Sequence, residues 1–168
     1  MSKKEDTTIR FSTLKPGKYT YHYALTDEFF DEWKNDEIQG GEVEIDVMME
    51  RMERMLMFDF RLAGKVTTQC DRCLGEIEVS IEGEEHLSAR FSDTETTDDE
   101  EVVVLSESAV EIDLAQWLYE YVAVRIPLQH IHPEGECDPA VTRYITDEDE
   151  EKENTEIDPR WEALRNLK

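Results

Sequence analysis

The chain has 168 residues, of which 42 are Asp or Glu and 18 are Lys or Arg, so its formal net charge is −24. Since one domain takes about 150 residues, this length predicts a single domain whose core is stable without disulfides. The charge excludes ordinary sequence-independent nucleic-acid binding, which depends on Lys and Arg neutralising phosphates, and an anionic membrane would repel the chain too. A basic macromolecule is the partner class that suits this charge.

The start of the chain predicts a cytosolic protein with no membrane partner. Residues 1–6 (MSKKED) are followed by no apolar run that would serve as a signal peptide, and no stretch of 18 apolar residues occurs. Three cysteines in such a chain favour reduced thiols or a metal site over a disulfide framework.

The first half of the chain is predicted to form β-strands. Residues 19–24 (YTYHYA) alternate aromatic with smaller or polar side chains, and residues 42–47 (EVEIDV) alternate acids with aliphatic side chains. A short helical turn is predicted at Asp27–Trp33 between them. The five methionines within residues 48–57 are assigned to one long strand that runs on to Leu62, where methionine as core filler is more common than methionine as a binding surface.

Further strands are predicted up to residue 105. Residues 76–82 (EIEVSIE) alternate, Gly83 predicts a break, and residues 87–91 continue the pattern. Val102–Leu105 is predicted to be a short buried strand. About six strands joined by short turns are typical of a largely antiparallel sheet or an open barrel.

One amphipathic helix is predicted to begin at Asp113 and to end before Pro127. Asp113 is the expected N-cap, and Gln116 completes a capping-box-like pair with it. The apolar face of this helix is expected to lie on the sheet and consists of Leu114, Trp117, Leu118, Tyr121 and Val122. The fold class is therefore predicted as α+β: a mainly antiparallel β-sheet or open barrel packed by one amphipathic helix, with a short C-terminal helix after an acidic linker.

Two segments are too acidic to bury enough apolar surface for folding. Residues 92–101 contain six acids and no base, and residues 146–157 contain seven acids and one lysine. The first is predicted to be a loop within a single mainly-β domain of residues 1–145, and the second to be a linker. Residues 158–168 are predicted to form the C-terminal helix, because Asp158 can cap it and Pro159 suits its first position.

Cys70 and Cys73 form a C-x-x-C pair, which is half of a tetrahedral zinc site. A thioredoxin-like redox pair would be followed by a helix, whereas residues 76–81 alternate like a strand. Cys137 offers a third thiolate, and either His132 or His130 offers a nitrogen. Four protein ligands of this kind predict a closed, structural zinc site. The alternative interpretation is three reduced cysteines that bind nothing.

No motif in the sequence predicts catalysis. The chain contains no nucleophile elbow, no phosphate-binding glycine loop and no H-E-x-x-H helix. A closed zinc site also leaves no open coordination position for a substrate. The sequence therefore predicts a protein that is not an enzyme and has no small-molecule substrate.

The chain contains an ordered set of five short motifs that resembles the motifs of the bacterial YceD family, which has relatives in plastids. They are residues 66–74 (VTTQCDRCL), 111–114 (EIDL), Ile126-Pro127, His132 with Cys137, and residues 158–164 (DPRWEAL). The resemblance covers roughly residues 43–168. It implies a non-enzymatic factor needed for 23S rRNA accumulation and large-subunit biogenesis, often encoded beside a small zinc-ribbon ribosomal protein. Many relatives carry further cysteines near the position of Cys137, and their absence here favours His132 as the replacement ligand.

The charge and the resemblance together predict that the chain acts on 23S rRNA through a basic ribosomal protein of the large subunit. One alternative is direct, structure-specific contact with pre-ribosomal RNA through a local basic strip within residues 61–74. Another is a redox or metal sensor that uses the C-x-x-C pair. The candidate residues for contact with a partner or with RNA are Arg61, Lys65, Arg72, Asp158, Arg160 and Trp161.

Overall fold

The computed structural model describes residues 7–33, 37–93 and 102–146. In these ranges the strands are β1 (Thr8–Ile9), β2 (Gly17–Leu25), β3 (Gly40–Arg51), β4 (Met55–Gln69), β5 (Glu76–Phe91), β6 (Val102–Leu105) and β7 (Ile112–Asp113). The helices are α1 (Asp27–Asp31), α2 (Ala115–Ala123) and α3 (Pro139–Thr146). Most of the predicted acidic loop (94–101), the linker beyond residue 146 and the predicted C-terminal helix (158–168) lie outside the described residues.

A five-stranded sheet of order β2-β3-β4-β5-β6 forms the body of the protein. Strands β2 to β5 are antiparallel neighbours, and β6 lies parallel to the end of β5. The short strands β1 and β7 pair separately. The described strands close no barrel, so the α+β prediction with a mainly antiparallel sheet is confirmed. No helix in the described ranges is long and apolar enough to cross a membrane.

The alternation in the sequence decides which face of the sheet is buried. In β3 the side chains of Val43, Ile45 and Val47 are buried and the acids between them are exposed. Helix α2 packs its apolar side on the buried face, where the ring of Tyr121 meets that of Phe60 at a centroid distance of 5.0 Å. The opposite face of the sheet, called the open face below, carries the exposed residues of β2 to β5.

Four of the five methionines lie on two separate strands and Met52 lies in the turn between them, so the prediction of one long strand through residues 48–62 is wrong. β3 ends at Arg51, β4 begins at Met55, and the Met52 N–H donates to the Met55 carbonyl at 2.9 Å in the turn between them. The turn contains no glycine or proline that would have revealed it. Met49 is fully buried as core filler, whereas Met48 is 40% exposed on the open face.

Two smaller predictions are also corrected by the structure. β5 runs through Gly83 without a break, because the glycine makes room for Arg125: a Cβ atom there would lie 2.6 Å from Arg125 Cζ. At the start of α2 the N-cap position is occupied by Leu114 and not by Asp113. Asp113 Oδ1 still accepts the N–H of Ala115 at 3.0 Å, but the capping box is absent because Gln116 bonds to the side chain of Glu120.

Replacing Gly64 with alanine is expected to lower the free energy of unfolding by about 3 kcal/mol. A Cβ atom at Gly64 would lie 2.2 Å from the carbonyl oxygen of Glu42 and 2.6 Å from Val43 Cα, so β3 and β4 would have to separate. Urea unfolding measures the effect. Gly75→Ala is the control, since its Cβ would make only ordinary contacts at 3.5 and 3.7 Å. Equal stability of Gly64→Ala and the unmodified chain would contradict this close approach.

Candidate metal centre

Four potential metal ligands from two distant segments meet beside the β4–β5 hairpin. Cys70 and Cys73 lie in the turn between the two strands, and His132 and Cys137 lie in the loop between α2 and α3. Their ligand atoms all lie within 4.8 Å of one another, and the three cysteines are buried. The structure therefore brings together the four residues that the sequence proposes as ligands.

The turn after β4 holds the first two sulfurs close together. The Cys70 N–H donates to the Gly75 carbonyl at 2.8 Å, and the Leu74 N–H donates to the Cys70 carbonyl at 2.9 Å. Leu74 reverses the chain with a left-handed φ of 59°, a conformation that is uncommon outside glycine. The Arg72 N–H lies 3.4 Å from Cys70 Sγ. The turn thus presents two cysteine side chains to one small volume and offers a backbone donor to the first.

A pair of hydrogen bonds attaches the second segment to this turn. The Asp71 N–H donates to the His130 carbonyl at 3.0 Å, and the His130 N–H donates to Asp71 Oδ2 at 2.8 Å. The His130 ring lies near Asp71 and the Pro127 carbonyl, and it is not among the four clustered side chains. The geometry therefore brings His132, rather than His130, to the cysteines.

The distances between the ligand atoms fit a tetrahedral zinc ion. Cys70 Sγ lies 3.9 Å from Cys137 Sγ, and His132 Nδ1 lies 3.4 Å from Cys73 Sγ and 3.9 Å from Cys137 Sγ. With Zn–S of about 2.3 Å and Zn–N of about 2.05 Å, tetrahedral ligands are separated by about 3.8 Å between sulfurs and about 3.6 Å between sulfur and nitrogen. The residues present fit zinc in both atom type and spacing.

The second ring nitrogen of His132 orients the side chain. Nε2 lies 2.9 Å from the Glu76 carbonyl oxygen, and because a carbonyl can only accept, Nε2 must be the donor. In the neutral ring Nδ1 then carries a lone pair toward the sulfurs. Metal-binding histidines in proteins are usually held in this way by a carbonyl or carboxylate on the other nitrogen.

The surroundings of Cys70 and Cys73 favour the thiolate, which is the form that binds metal. Burial on its own would raise the pKa of Cys70, but backbone N–H groups, first that of Cys73 and then that of His132, lower the pKa to about 6. The pKa of Cys73 is lowered as well, chiefly by the backbone N–H groups of Asp138 and Gly75. Two of the three cysteines therefore lose their thiol proton more readily than a free cysteine, which favours metal binding.

Helix α3 packs against the cysteines and is not predicted by the sequence analysis. Val141 on this helix contacts the cysteine cluster, and Asp138 Oδ1 accepts the N–H of Ala140 at 2.8 Å at its start. The signal that would have revealed the helix is Asp138-Pro139, the same Asp-Pro pair that predicts a helix at residues 158–168. The four-ligand cluster therefore lies between the sheet and the last described helix.

The candidate basic strip is partly neutralised by neighbouring acids. Arg61 and Lys65 lie on the open face, where Arg61 Nε is 2.8 Å from Glu84 Oε1 and Lys65 Nζ is 3.4 Å from Glu78 Oε2. Arg72 is exposed in the cysteine turn. The other candidate contact residues lie outside the described part of the chain: Asp158, Arg160 and Trp161.

Acids outnumber bases on the open face of the sheet. Nine acids project from it: Glu42, Glu44, Asp46, Glu50, Asp59, Glu76, Glu78, Glu82 and Glu84. The Lys and Arg residues on this face are Lys18, Arg61, Lys65 and Arg90. His22 lies between two of the acids, and its hydrogen bond to Asp46 is the main cause that raises its pKa above the ordinary value. The net charge is evident from the sequence, whereas its concentration on this surface depends on the register of the strands.

When the chain is compared with known proteins, one family model matches it. A family model described as "Large ribosomal RNA subunit accumulation protein YceD" matches residues 58–168. This range is about two thirds of the chain and includes all four clustered ligand residues, whereas β1 to β3 precede it. Comparison with curated proteins and with solved structures gives no significant match.

Proposed function

The chain belongs to the YceD family of large ribosomal RNA subunit accumulation proteins, and on this premise we propose that it promotes 23S rRNA accumulation by holding a basic ribosomal protein. The bound protein is kept soluble on the acidic surface until the RNA takes it up. The observation that carries this proposal is the open face, with nine acids against four Lys and Arg residues.

The ion pairs on the open face favour a protein partner over RNA. Arg61 and Lys65 are both paired with glutamates, so a phosphate backbone would have to displace these carboxylates and approach the remaining acids. Nucleic-acid binding depends on cations that are available to phosphate. A lysine- and arginine-rich protein would instead be attracted to this face and would encounter it rapidly.

In this proposal the zinc ion has a structural role. Cys70, Cys73, His132 and Cys137 would hold it, and the bound ion would supply a rigid link between the β4–β5 hairpin and the loop before α3. Because protein atoms fill all four positions, such a site is closed to substrates and stabilises the fold. The proposal therefore assigns the protein no catalytic step.

The full chain is expected to retain ribosomal proteins from a cell lysate after ribonuclease digestion. Raising the salt concentration should release them, because salt screens the attraction between exposed charges. Mass spectrometry identifies the retained proteins, and binding is then measured with each purified protein alone. Tight binding to bare 23S rRNA, together with no binding to any purified ribosomal protein, would overturn the proposal.

Two sets of variants separate protein binding from RNA binding. Neutralising three exposed acids of β3 together (Glu42→Gln, Glu44→Gln and Asp46→Asn) should weaken binding of the basic protein and reduce its salt dependence. The double variant Lys65→Glu, Arg72→Glu should leave that binding intact. The direct-RNA alternative requires the reverse result, with loss of RNA binding in the double variant and little effect of the β3 changes.

A further inference from the structure

One edge of the five-stranded sheet is incompletely paired. β6 covers only the last residues of β5, from Ser88 to Phe91. Among the described strands, none pairs with residues 77–87 of β5 on the side away from β4. An uncovered strand edge of this kind is a template for pairing with another extended chain.

The hydrogen bonds at both ends of β5 fix the direction of its backbone groups. Gly75 accepts from the Cys70 N–H at 2.8 Å, and the Phe91 N–H donates to the Arg54 carbonyl at 3.1 Å. In an antiparallel pair, residues bonded to the partner strand alternate with residues whose N–H and C=O groups point away from it. The odd-numbered residues of β5 therefore bond to β4, and the even-numbered residues face the open edge.

Two side chains mark the limits of this open edge. The outward carbonyl of Glu76 accepts from His132 Nε2 at 2.9 Å, and that of Glu84 accepts from Arg125 Nη2 at 2.9 Å. Between these limits, three residues direct N–H and C=O groups outward, and no described strand pairs with them: Glu78, Ser80 and Glu82. This stretch is long enough for several main-chain hydrogen bonds to an added strand.

We propose that residues 77–83 of β5 accept an extended, lysine- and arginine-rich polypeptide segment as an additional β-strand. The inference rests on the proposed function and names the surface through which the basic partner is held. In strand addition of this kind, main-chain hydrogen bonds supply affinity and alternate side chains supply specificity.

The acids along the edge favour a basic occupant. Lys65 and Arg61 already pair with two of the glutamates of β5, whereas Glu76 and Glu82 stand opposite uncharged residues of β4 and can meet cations of an added strand. Opposite charges on neighbouring strands stabilise a sheet and like charges destabilise it. A Lys- or Arg-rich strand is therefore matched to this edge.

The same rule disfavours two other occupants, a second copy of the chain and the acidic segment 146–157. A second copy paired at β5 would bring two sets of edge glutamates together, and residues 146–157 of this chain contain seven acids and one base. The other edge of the sheet, β2, presents no acid at its outward positions: Lys18, Thr20, His22 and Ala24. Charge thus distinguishes the two edges and selects β5 for a basic strand.

Binding of a fluorescein-labelled peptide of alternating lysine and threonine to the full chain tests the inference at low salt. Ser80→Pro should weaken binding by about tenfold, because proline removes an outward N–H without removing a bond to β4. Thr20→Pro is the matched control, since it makes the same change on β2, and it should bind the peptide as the unmodified chain does. Thermal unfolding of both variants checks that they fold.

A second pair of measurements does not depend on the folding of a proline variant. A peptide with the same charge but N-methylated at every second residue should bind about tenfold more weakly. Amide exchange should slow on peptide binding at Glu78, Ser80 and Glu82 and remain unchanged at the residues between them.

The outcomes separate this inference from the proposed function. If the N-methylated peptide binds as well as the unmodified one and amide exchange does not change, the partner is held by charge alone and strand addition is wrong. Slow exchange at the three edge amides before peptide is added, or a dimer in sedimentation, would mean that this chain or a second copy already occupies the edge and would overturn the inference. Absence of peptide binding even at low salt would contradict the proposed function as well.

Discussion

Replacing Cys73 with serine is expected to abolish zinc binding by the purified full chain. The change removes one of four ligand atoms, and the hydroxyl that replaces it is not ionised at neutral pH. Elemental mass spectrometry should find stoichiometric zinc in the unmodified protein and almost none in Cys73→Ser. Amide exchange should become faster in α3 and in the loop before it, because these segments lose their link to the hairpin, while the amides that bond β2 to β5 to one another remain protected.

His130→Ala is the matched control for this experiment. His130 lies in the same loop, but its ring is near Asp71 and Pro127 and is not one of the four clustered side chains. The variant should therefore retain zinc. Two results would contradict the site: an unmodified protein that contains no zinc after expression in zinc-supplemented medium, or a Cys73→Ser variant that keeps it.

Phe60→Ala is expected to lower the free energy of unfolding by about 4 kcal/mol. The side chain is 1% exposed on the central strand β4, and its ring contacts those of Phe58 and Tyr121. Truncation would leave a cavity between the sheet and α2, because the surrounding backbone cannot close over it. Urea unfolding monitored by circular dichroism measures the loss.

Arg61→Ala provides the comparison one residue further along β4. Arg61 is exposed and makes a surface ion pair with Glu84, so the expected loss is within about 0.5 kcal/mol. Similar stability losses for the two variants would contradict the assignment of the buried and open faces of the sheet.

The sheet could be predicted from the sequence because the alternation of polar and apolar residues that indicates a strand lies within each short segment. Acids alternate with aliphatic residues through β3 and β5, and this alternation alone assigns each side chain to a face. The hairpin between Arg51 and Met55 could not be predicted, since methionine gives no turn signal. The sequence also could not predict that β5 continues through Gly83, because the glycine there makes room for Arg125, which is distant in the sequence.

Residue type and spacing predict a cluster of three cysteines and one histidine but do not choose between His130 and His132, although the family resemblance favours His132. Both histidines lie within reach of Cys137 along the chain. The structure separates them through the backbone pairing of Asp71 with His130, which turns one ring away and brings the next histidine to the sulfurs. The net charge alone likewise could not predict that the acids gather on the open face, because their positions there depend on the register of four strands.

The two halves of the ligand cluster lie far apart in the sequence, since 58 residues separate Cys73 from His132. A nascent chain that has emerged only as far as β5 offers two thiolates, and half a site holds zinc weakly. The complete set is available only after the chain has been made as far as Cys137 and the loop before α3 has reached the hairpin. If the site holds zinc as proposed, capture of the ion by all four ligands would therefore be a late step of maturation, because it requires the chain as far as Cys137.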